Sequence, residues 1–378
     1  MFITITKNLV RKISVMEHIL SSIGKNDNLI NGILVRANGM LQAANSLINM
    51  SFRLTTEELG LAPDLPLADF ILPEMAYKFL KNLSVGTSVE VILVKDNLIN
   101  IVVDSGKKKK NKVEFATQLP SEYIEISRVD TSAMQKLNSE WFKSAISKTA
   151  YAVSTNNKKP INTAVHLIAK GGKIVAYACD GFKAAVVSDL VDKAESDFTL
   201  SIPQEVIKVL NAVDFAETIL VGFNKTHTKA AFAIDDSTVI QGSLHTGKIL
   251  NYVEKYINKG NKIQFTADTT ILSSVVKQIC LFNTASTRTP MLLSIKKDEI
   301  VCSFANEKTR YSDSVEIEST NIEKETLMGV DPEILLSTLK NCVEGKTKFR
   351  FEQSLEPLEV YNGDLSAIVV PMRINKEG

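Results

Sequence analysis

Leu200-Ser-Ile-Pro-Gln-Glu-Val-Ile-Lys-Val-Leu210 begins as an apolar strand, meets a proline and leaves with the apolar spacing of a helix. Two other stretches have the same shape: Phe70-Ile-Leu-Pro-Glu-Met-Ala-Tyr-Lys-Phe-Leu80 and Met328-Gly-Val-Asp-Pro-Glu-Ile-Leu-Leu-Ser-Thr-Leu339. Their prolines fall at 73, 203 and 332, so the motif recurs after 130 and then 129 residues. Proline in the first helical turn, with Glu74, Glu205 or Glu333 just behind it, suits the unsatisfied N–H groups and positive dipole end of a helix start. A period of this length makes the chain a repeat of whole domains.

The same register organises the rest of the sequence. Residues 31–45, 162–176 and 289–302 each read as an apolar strand, a polar turn and a second strand, with Asn38-Gly39, Gly171-Gly172 and Lys297-Asp298 at the reversals. An earlier helix precedes each hairpin. It is marked by Leu9, Ile13, Met16 and Leu20, then by Trp141, Phe142, Ala145 and Ile146, then by Ile271, Leu272, Val275, Val276 and Ile279. Each repeat is therefore strand, helix, strands, strand, helix, strands. Two helices and several strands in each repeat make the fold class α+β, in three tandem domains of about 1–128, 129–256 and 257–378. Three similar domains in line imply a curved or ring-like assembly.

Bulk properties narrow the function. The 378 residues are 44% hydrophobic, enough for real cores, and no run reaches the ~18 apolar residues that a membrane helix needs. The N-terminus alternates as Phe2-Ile-Thr-Ile-Thr6 like a strand, so no membrane association and a cytoplasmic location are expected. Cys179, Cys280, Cys302 and Cys342 form no close pair, and His18, His166, His227 and His245 lie in separate segments, so neither a disulfide framework nor a metal site is expected. GxGxxG, P-loop and GxSxG motifs are missing, and Lys170-Gly-Gly-Lys173 lacks the following helix of a phosphate cradle. No catalytic residue and no cofactor is assigned, and the chain is expected not to be an enzyme. A net charge of +1 argues against tight, site-bound contact with nucleic acid, but not against weak, local positive charge.

Local positive charge has two candidate homes. The polar faces of the six predicted helices carry Lys7, Arg11, Lys78, Lys81, Lys143, Lys148, Lys208, Lys277 and Lys340, with few acids apart from helix starts. The repeat would put these faces on one side, although lysines that only solvate amphipathic helices give the same pattern. Ser105-Gly-Lys-Lys-Lys-Lys-Asn-Lys112 is a sharper signal, a hairpin tip with Lys107, Lys108, Lys109 and Lys110 between two apolar strands. Ammonium groups there suit phosphate contact without base reading, and a lysine cluster protecting a sheet edge is the alternative. Lys159, in Lys158-Lys159-Pro160, is a smaller candidate of the same type.

Two further stretches carry a family resemblance. Ala178-Cys-Asp-Gly-Phe-Lys-Ala184 resembles the T-D-G-H-R-L segment, and Ile368-Val-Val-Pro-Met-Arg-Ile374 the V-V-M-P-M-R-L ending, of the beta subunit of bacterial DNA polymerase III, the sliding clamp. With three repeats in the right order, the resemblance covers nearly the whole chain. It implies three clamp domains per chain and a head-to-tail homodimer closing a ring, with helices lining the hole and sheets outside. Double-stranded DNA would pass through the ring and meet the basic residues named above without regard to sequence, at the replication fork in the nucleoid. Replicative polymerase, clamp loader and repair proteins would dock short clamp-binding motifs into a hydrophobic cleft. By local match its walls would be Ile161, Cys179, Gly181, Phe182, Lys183, Leu250, Leu355, Pro357, Ile368, Val370, Pro371, Met372 and Arg373. Cys280-Leu-Phe282 resembles the third-domain apolar region that meets the partner subunit's first domain.

Departures from the family pattern bear on specificity. Phe182 stands where histidine is usual, Leu250 where proline is frequent and Glu254 where the family is often basic, while 375–378 runs past the usual end. A more apolar wall and an altered peptide preference follow. A clamp-like monomer that binds clamp-motif peptides without encircling DNA is the alternative function.

Overall fold

The computed structural model describes residues 1–22, 30–59, 65–66, 68–104, 111–123, 129, 134–156, 158–189, 196–250, 263–283, 289–319, 321–322 and 324–374. These residues form two compact units, one of residues 1–143 with 205–244 and the other of 144–204 with 245–378. The chain divides inside the second of the three sequence-defined domains.

In the first unit, helix α1, Lys7–Ser21, starts where Thr6 Oγ1 accepts from the N–H of Leu9 at 2.9 Å. Leu9, Ile13, Met16 and Leu20 recur at helical spacing and are all buried, and α1 packs on the strand Met40–Ala44. That strand belongs to an eight-stranded antiparallel sheet in the order Phe70–Pro73, Gly32–Val35, Met40–Ala44, Ile48–Arg53, Thr238–Ser243, Lys229–Asp235, Thr218–Phe223, Gln135–Asn138. The four-residue helix α2, Thr56–Leu59, places Glu58 where its carboxylate accepts from Thr6 Oγ1 at 3.0 Å and from Thr55 N–H at 2.7 Å. Helix α3, Glu74–Lys81, lies against α1. A second sheet of four strands runs Phe2–Thr4, Ser88–Lys95, Leu98–Asp104, Asn111–Ala116.

Helix α4, Ser139–Ala150, leads the chain out of this unit after burying Phe142 against the rings of Phe215 and Phe232, 6.0 and 5.9 Å away. Helix α5, Gln204–Ala212, presses on the large sheet at Gly242, where a Cβ would lie 2.7 Å from Val206 Cγ2. Only glycine allows that approach.

The second unit is built on a twelve-stranded sheet. Its order is Phe198–Pro203, Ala164–Lys170, Lys173–Cys179, Lys183–Asp189, Leu365–Val369, Leu358–Asn362, Lys346–Phe351, Ile263–Asp268, Arg310–Ser319, Glu299–Ala305, Met291–Ile295, Thr326–Val330. Helix α6, Thr269–Phe282, is capped by Asp268, whose Oδ1 accepts from the N–H groups of Thr270 and Ile271 at 2.9 Å each. Helix α7, Pro332–Leu339, is capped in the same way by Asp331 and packs against α6. Beneath them Phe265 and Phe349 stack with centroids 4.8 Å apart. The join that matters for the site is Lys183–Asp189 against Leu365–Val369, with Ala184 opposite Ile368 and Lys183 opposite Val369. It makes neighbours of two motifs separated by about half the chain.

The three strand–proline–helix motifs exist, with one correction. Pro332 is the first residue of its helix, but Pro73 and Pro203 are the last residues of strands, paired with Gly32 and Ala164. Both strands close a sheet, where a missing N–H costs no ladder bond on the outer side.

Candidate functional site

The Cys179–Lys183 stretch is a tight reversal between the strands Lys173–Cys179 and Lys183–Asp189. Asp180 holds it: Oδ1 accepts from the N–H groups of Phe182 and Lys183 at 2.8 and 2.9 Å, and Oδ2 takes the Lys183 ammonium at 2.6 Å. Gly181 adopts φ +98°, a left-handed conformation that side chains rarely accept. Phe182 is thereby thrust outward and is 61% exposed. Its carbonyl accepts from Val370 N–H at 2.9 Å, which draws the chain beyond Leu365–Val369 alongside the turn.

Two hollows open beside this arrangement, both within the second unit. The smaller, about 300 Å³, is lined by Cys179, Gly181, Lys183, Leu355, Pro357, Ile368, Val370 and Pro371 from the predicted wall, and by Ala184 and Glu356, which the sequence reading missed. The larger, about 940 Å³, shares Lys183, Val370 and Pro371 and adds Phe182 and Met372. It also takes Tyr151, Asn156, Asp331, Glu333, Ile334 and Ser337, none predicted, although Asp331 and Glu333 stand in the repeated proline motif. Lys159, predicted as a phosphate contact, lines this hollow with Lys158.

Three predicted wall residues stand apart. Leu250 packs on the cluster of Tyr177, Cys179, Ala184 and Ile368, and its carbonyl accepts from the Tyr177 hydroxyl, so it supports the floor. Ile161 is buried beside Gly247 and lines neither hollow, and Arg373 is exposed and lines neither. Chemically the smaller hollow is an apolar groove with one acid at its rim. Burial pushes the Cys179 thiol up from its ordinary pKa, so it presents an uncharged surface and no ready nucleophile. The Lys183 charge is spent on Asp180, with only 15% and 12% of the two side chains exposed.

The candidate DNA-facing residues divide into two groups. In the first unit Arg11 pairs with Asp214, Lys81 with Glu17, and Lys78 with Glu74 at 2.5 Å and Glu17 at 3.9 Å. Lys143 donates to the Val213 carbonyl at 3.0 Å and lies 5.4 Å from the Phe215 ring centre. In the second unit Lys148 pairs with Asp364 at 2.5 Å. Lys7, Lys208, Lys277 and Lys340 are exposed, and no ion pair to any of them is seen among the described residues. The acids that meet these cations are Glu17 on α1 itself, Glu74 at the start of α3, and Asp214 and Asp364 from neighbouring segments outside the helices. Lys107, Lys108, Lys109 and Lys110 lie outside the described residues.

At the end of α6, Leu281 is 76% exposed and Phe282 leans on Tyr311 with ring centres 5.9 Å apart. Tyr311 lies near the start of a strand whose residues 310–316 pair with Glu299–Ala305 and which meets Ile263–Asp268 only through Ile317–Ser319. Its first half thus has a bare edge among the described residues. In the first unit Asn111–Ala116 is likewise the last strand of its sheet, with Phe115 against Phe79 at 6.1 Å. Among the described residues no group of three or more metal-ligating side chains occurs, and no helix is long and apolar enough to cross a membrane.

Residues 136–245 match the family described as DNA polymerase III beta subunit, central domain. The beta sliding clamp of Streptococcus pneumoniae is 23% identical over 285 residues, 73% of each chain. The sliding clamp of Pseudomonas aeruginosa, solved bound to griselimycin, superposes with a TM-score of 0.86 at 14% identity over 99% of this chain and 100% of that one. The Bacillus subtilis sliding clamp gives 0.84 at 18% identity over 99% of both. The clamp fold is thus shared along the chain, while the sequence is divergent.

Proposed function

We propose that this chain, a divergent member of the DNA polymerase III beta-subunit family, is a sliding clamp that encircles duplex DNA and tethers the replicative polymerase, clamp loader and repair proteins through one peptide cleft. The observation that carries the reading is the convergence of Cys179–Lys183 and Ile368–Met372 on the two adjoining hollows. The smaller hollow takes aliphatic side chains of a partner peptide between Leu355, Pro357 and Ile368. The larger takes the rest of the segment past Phe182 and Met372, where an adaptable thioether fits more than one sequence.

Domains 1–128, 129–256 and 257–378, taken twice, make the ring. Closure is supported by the two bare strand edges. Asn111–Ala116 of one copy would extend the sheet at the first half of Arg310–Ser319 of the other, with Leu281 and Phe282 beside the seam. The exposed Lys7, Lys208, Lys277 and Lys340 would supply diffuse positive charge to passing DNA, as weak and sequence-independent contact requires. The proposed role assigns no chemistry to the chain.

Retention on nicked circular DNA but not on its linear form, by a dimer loaded with its loader, tests the proposal. A chain that stays monomeric and never remains on the circle overturns it. The acids paired with Arg11, Lys78, Lys81 and Lys148 favour a second reading, a clamp-like monomer that holds partner peptides off DNA. Peptide binding without any topological retention would select it.

A further inference from the structure

We infer that Gly329 is a positioning residue for the cleft, the point at which the C-terminal segment is drawn in to form the wall shared by both hollows. The inference rests on reading those hollows as a peptide site. Val370–Met372 spans two fixed points. At one end the N–H of Val370 donates to the Phe182 carbonyl at 2.9 Å. At the other the N–H of Met372 donates to the Gly329 carbonyl at 2.8 Å, in an isolated antiparallel bridge. Pro371 between them has a fixed φ and no N–H of its own, so the three residues act as a stiff strap. Val370 and Pro371 line both hollows and Met372 lines the larger.

Gly329 is buried in Thr326–Val330, a strand at the end of its sheet, and its φ lies outside the left-handed region. Backbone conformation therefore does not require glycine there. Space does. A Cβ would lie 2.7 Å from the Met372 carbonyl oxygen, 3.0 Å from Ile374 Cγ1 and 3.5 Å from Pro290 Cβ. The first of these atoms belongs to the strap's own backbone and cannot swing aside as a side chain would. Glycine weakens a strand by forfeiting side-chain packing and chain entropy, and close approach of another backbone is the usual reason to keep it. Any side chain at this position lifts the strap and moves the shared wall with it.

The test uses full-length Gly329→Ala, wild type, and Ile300→Val, a core change in the same sheet that leaves the strap untouched. A fluorescein-labelled peptide carrying a bacterial polymerase's clamp-binding motif reports affinity, and hydrogen exchange reports the Met372 amide. Gly329→Ala is expected to weaken the peptide at least tenfold and to speed exchange at Met372 at least tenfold, with neither change in Ile300→Val. Wild-type behaviour in Gly329→Ala, or an equal loss in Ile300→Val, overturns the inference. Should Gly329→Ala not fold, Met372→Pro is read against Met372→Ala, which loses the same side chain from the wall but keeps the amide: deleting the hydrogen bond is expected to weaken the peptide at least tenfold beyond Met372→Ala, and equal weakening overturns the inference. If wild type itself ignores the peptide, the cleft reading falls, while the exchange rates still decide what Gly329 does.

Discussion

Acid should loosen the strand beneath the cleft, through His166. This side chain is 2% exposed in Ala164–Lys170, with Nδ1 2.9 Å from Ser201 Oγ and its ring 5.9 Å from Tyr177. Burial first, and the charge of His245 second, lower its pKa from 6.5 to about 4. Below 6.5 the unfolded chain binds a proton that the folded chain still refuses, so stability is full above pH 6.5 and drains away as pH falls toward 4. At about 1.4 kcal/mol per unit, the whole gap amounts to ~3 kcal/mol, of which ~2 is gone by pH 5. The assay is amide hydrogen exchange in Ala164–Lys170 and its partner strand Phe198–Pro203 at pH 7.5 and 5.0, corrected for intrinsic rates. Carboxylates also titrate in this range, so the comparison is with His166→Gln, which keeps a hydrogen-bonding side chain but cannot charge. Its acid-induced loss of protection should be less than half that of wild type. Equal losses in the two proteins would refute the reasoning. Tyr177 pairs with His166 and packs with Cys179 and Ile368, so peptide affinity should weaken with the same midpoint.

Three other outcomes are expected. Leu355→Asp, at a 69% exposed rim residue of the smaller hollow, should weaken partner peptide by tenfold or more, about 1.4 kcal/mol, with Tm unchanged, and unaltered affinity would remove that wall from the site. Glu17→Gln releases Lys81 while Lys78 stays on Glu74, so duplex affinity at low salt should rise and the slope of log K against log salt should steepen by about 1, as measured by anisotropy across a salt series. An unchanged slope would mean that Lys81 does not meet phosphate. Leu281→Asp puts a charge on a 76% exposed apolar residue beside the proposed seam, and sedimentation should show monomer where wild type is dimer.

The hairpins and strand–proline–helix motifs were legible in the sequence because each is a local pattern: a turn dipeptide between apolar runs, or a change of period from two to 3.6. What escaped the reading depends on partners far along the chain. Pro73 and Pro203 read as helix starts because nothing local reveals that their carbonyl sides still belong to edge strands. Thr55-Thr-Glu-Glu58 carries the capping-box spacing, a signal that was available and overlooked, and it buries Glu58 against Thr6. Of the expected cleft walls, the two matched motifs, Cys179–Lys183 and Ile368–Met372, line the two adjoining hollows. Ile161 and Arg373 misled because a matched position fixes a place in the chain and leaves the direction of the side chain open. Ion pairs such as Lys148–Asp364, 216 residues apart, have no local sequence signature at all.

The two proposed contacts differ in what they demand of the sequence, and that bears on how far a clamp can diverge. Contact with duplex DNA asks for charge somewhere on a helix face, and here several of those charges are already neutralised by Glu17, Asp214 and Asp364. The cleft asks for a shape, and its shape is held largely by main-chain and turn-internal bonds. Asp180 fixes the turn, the Phe182 carbonyl takes Val370, and the Gly329 carbonyl takes Met372. With the backbone pinned at these points, the side chains that meet a partner, Phe182, Leu355 and Met372, are free to differ without the hollow collapsing. Peptide preference can then change through three or four side chains, whereas loss of the site requires an attack on its fastenings, of which Gly329 is the one where a single methyl group suffices.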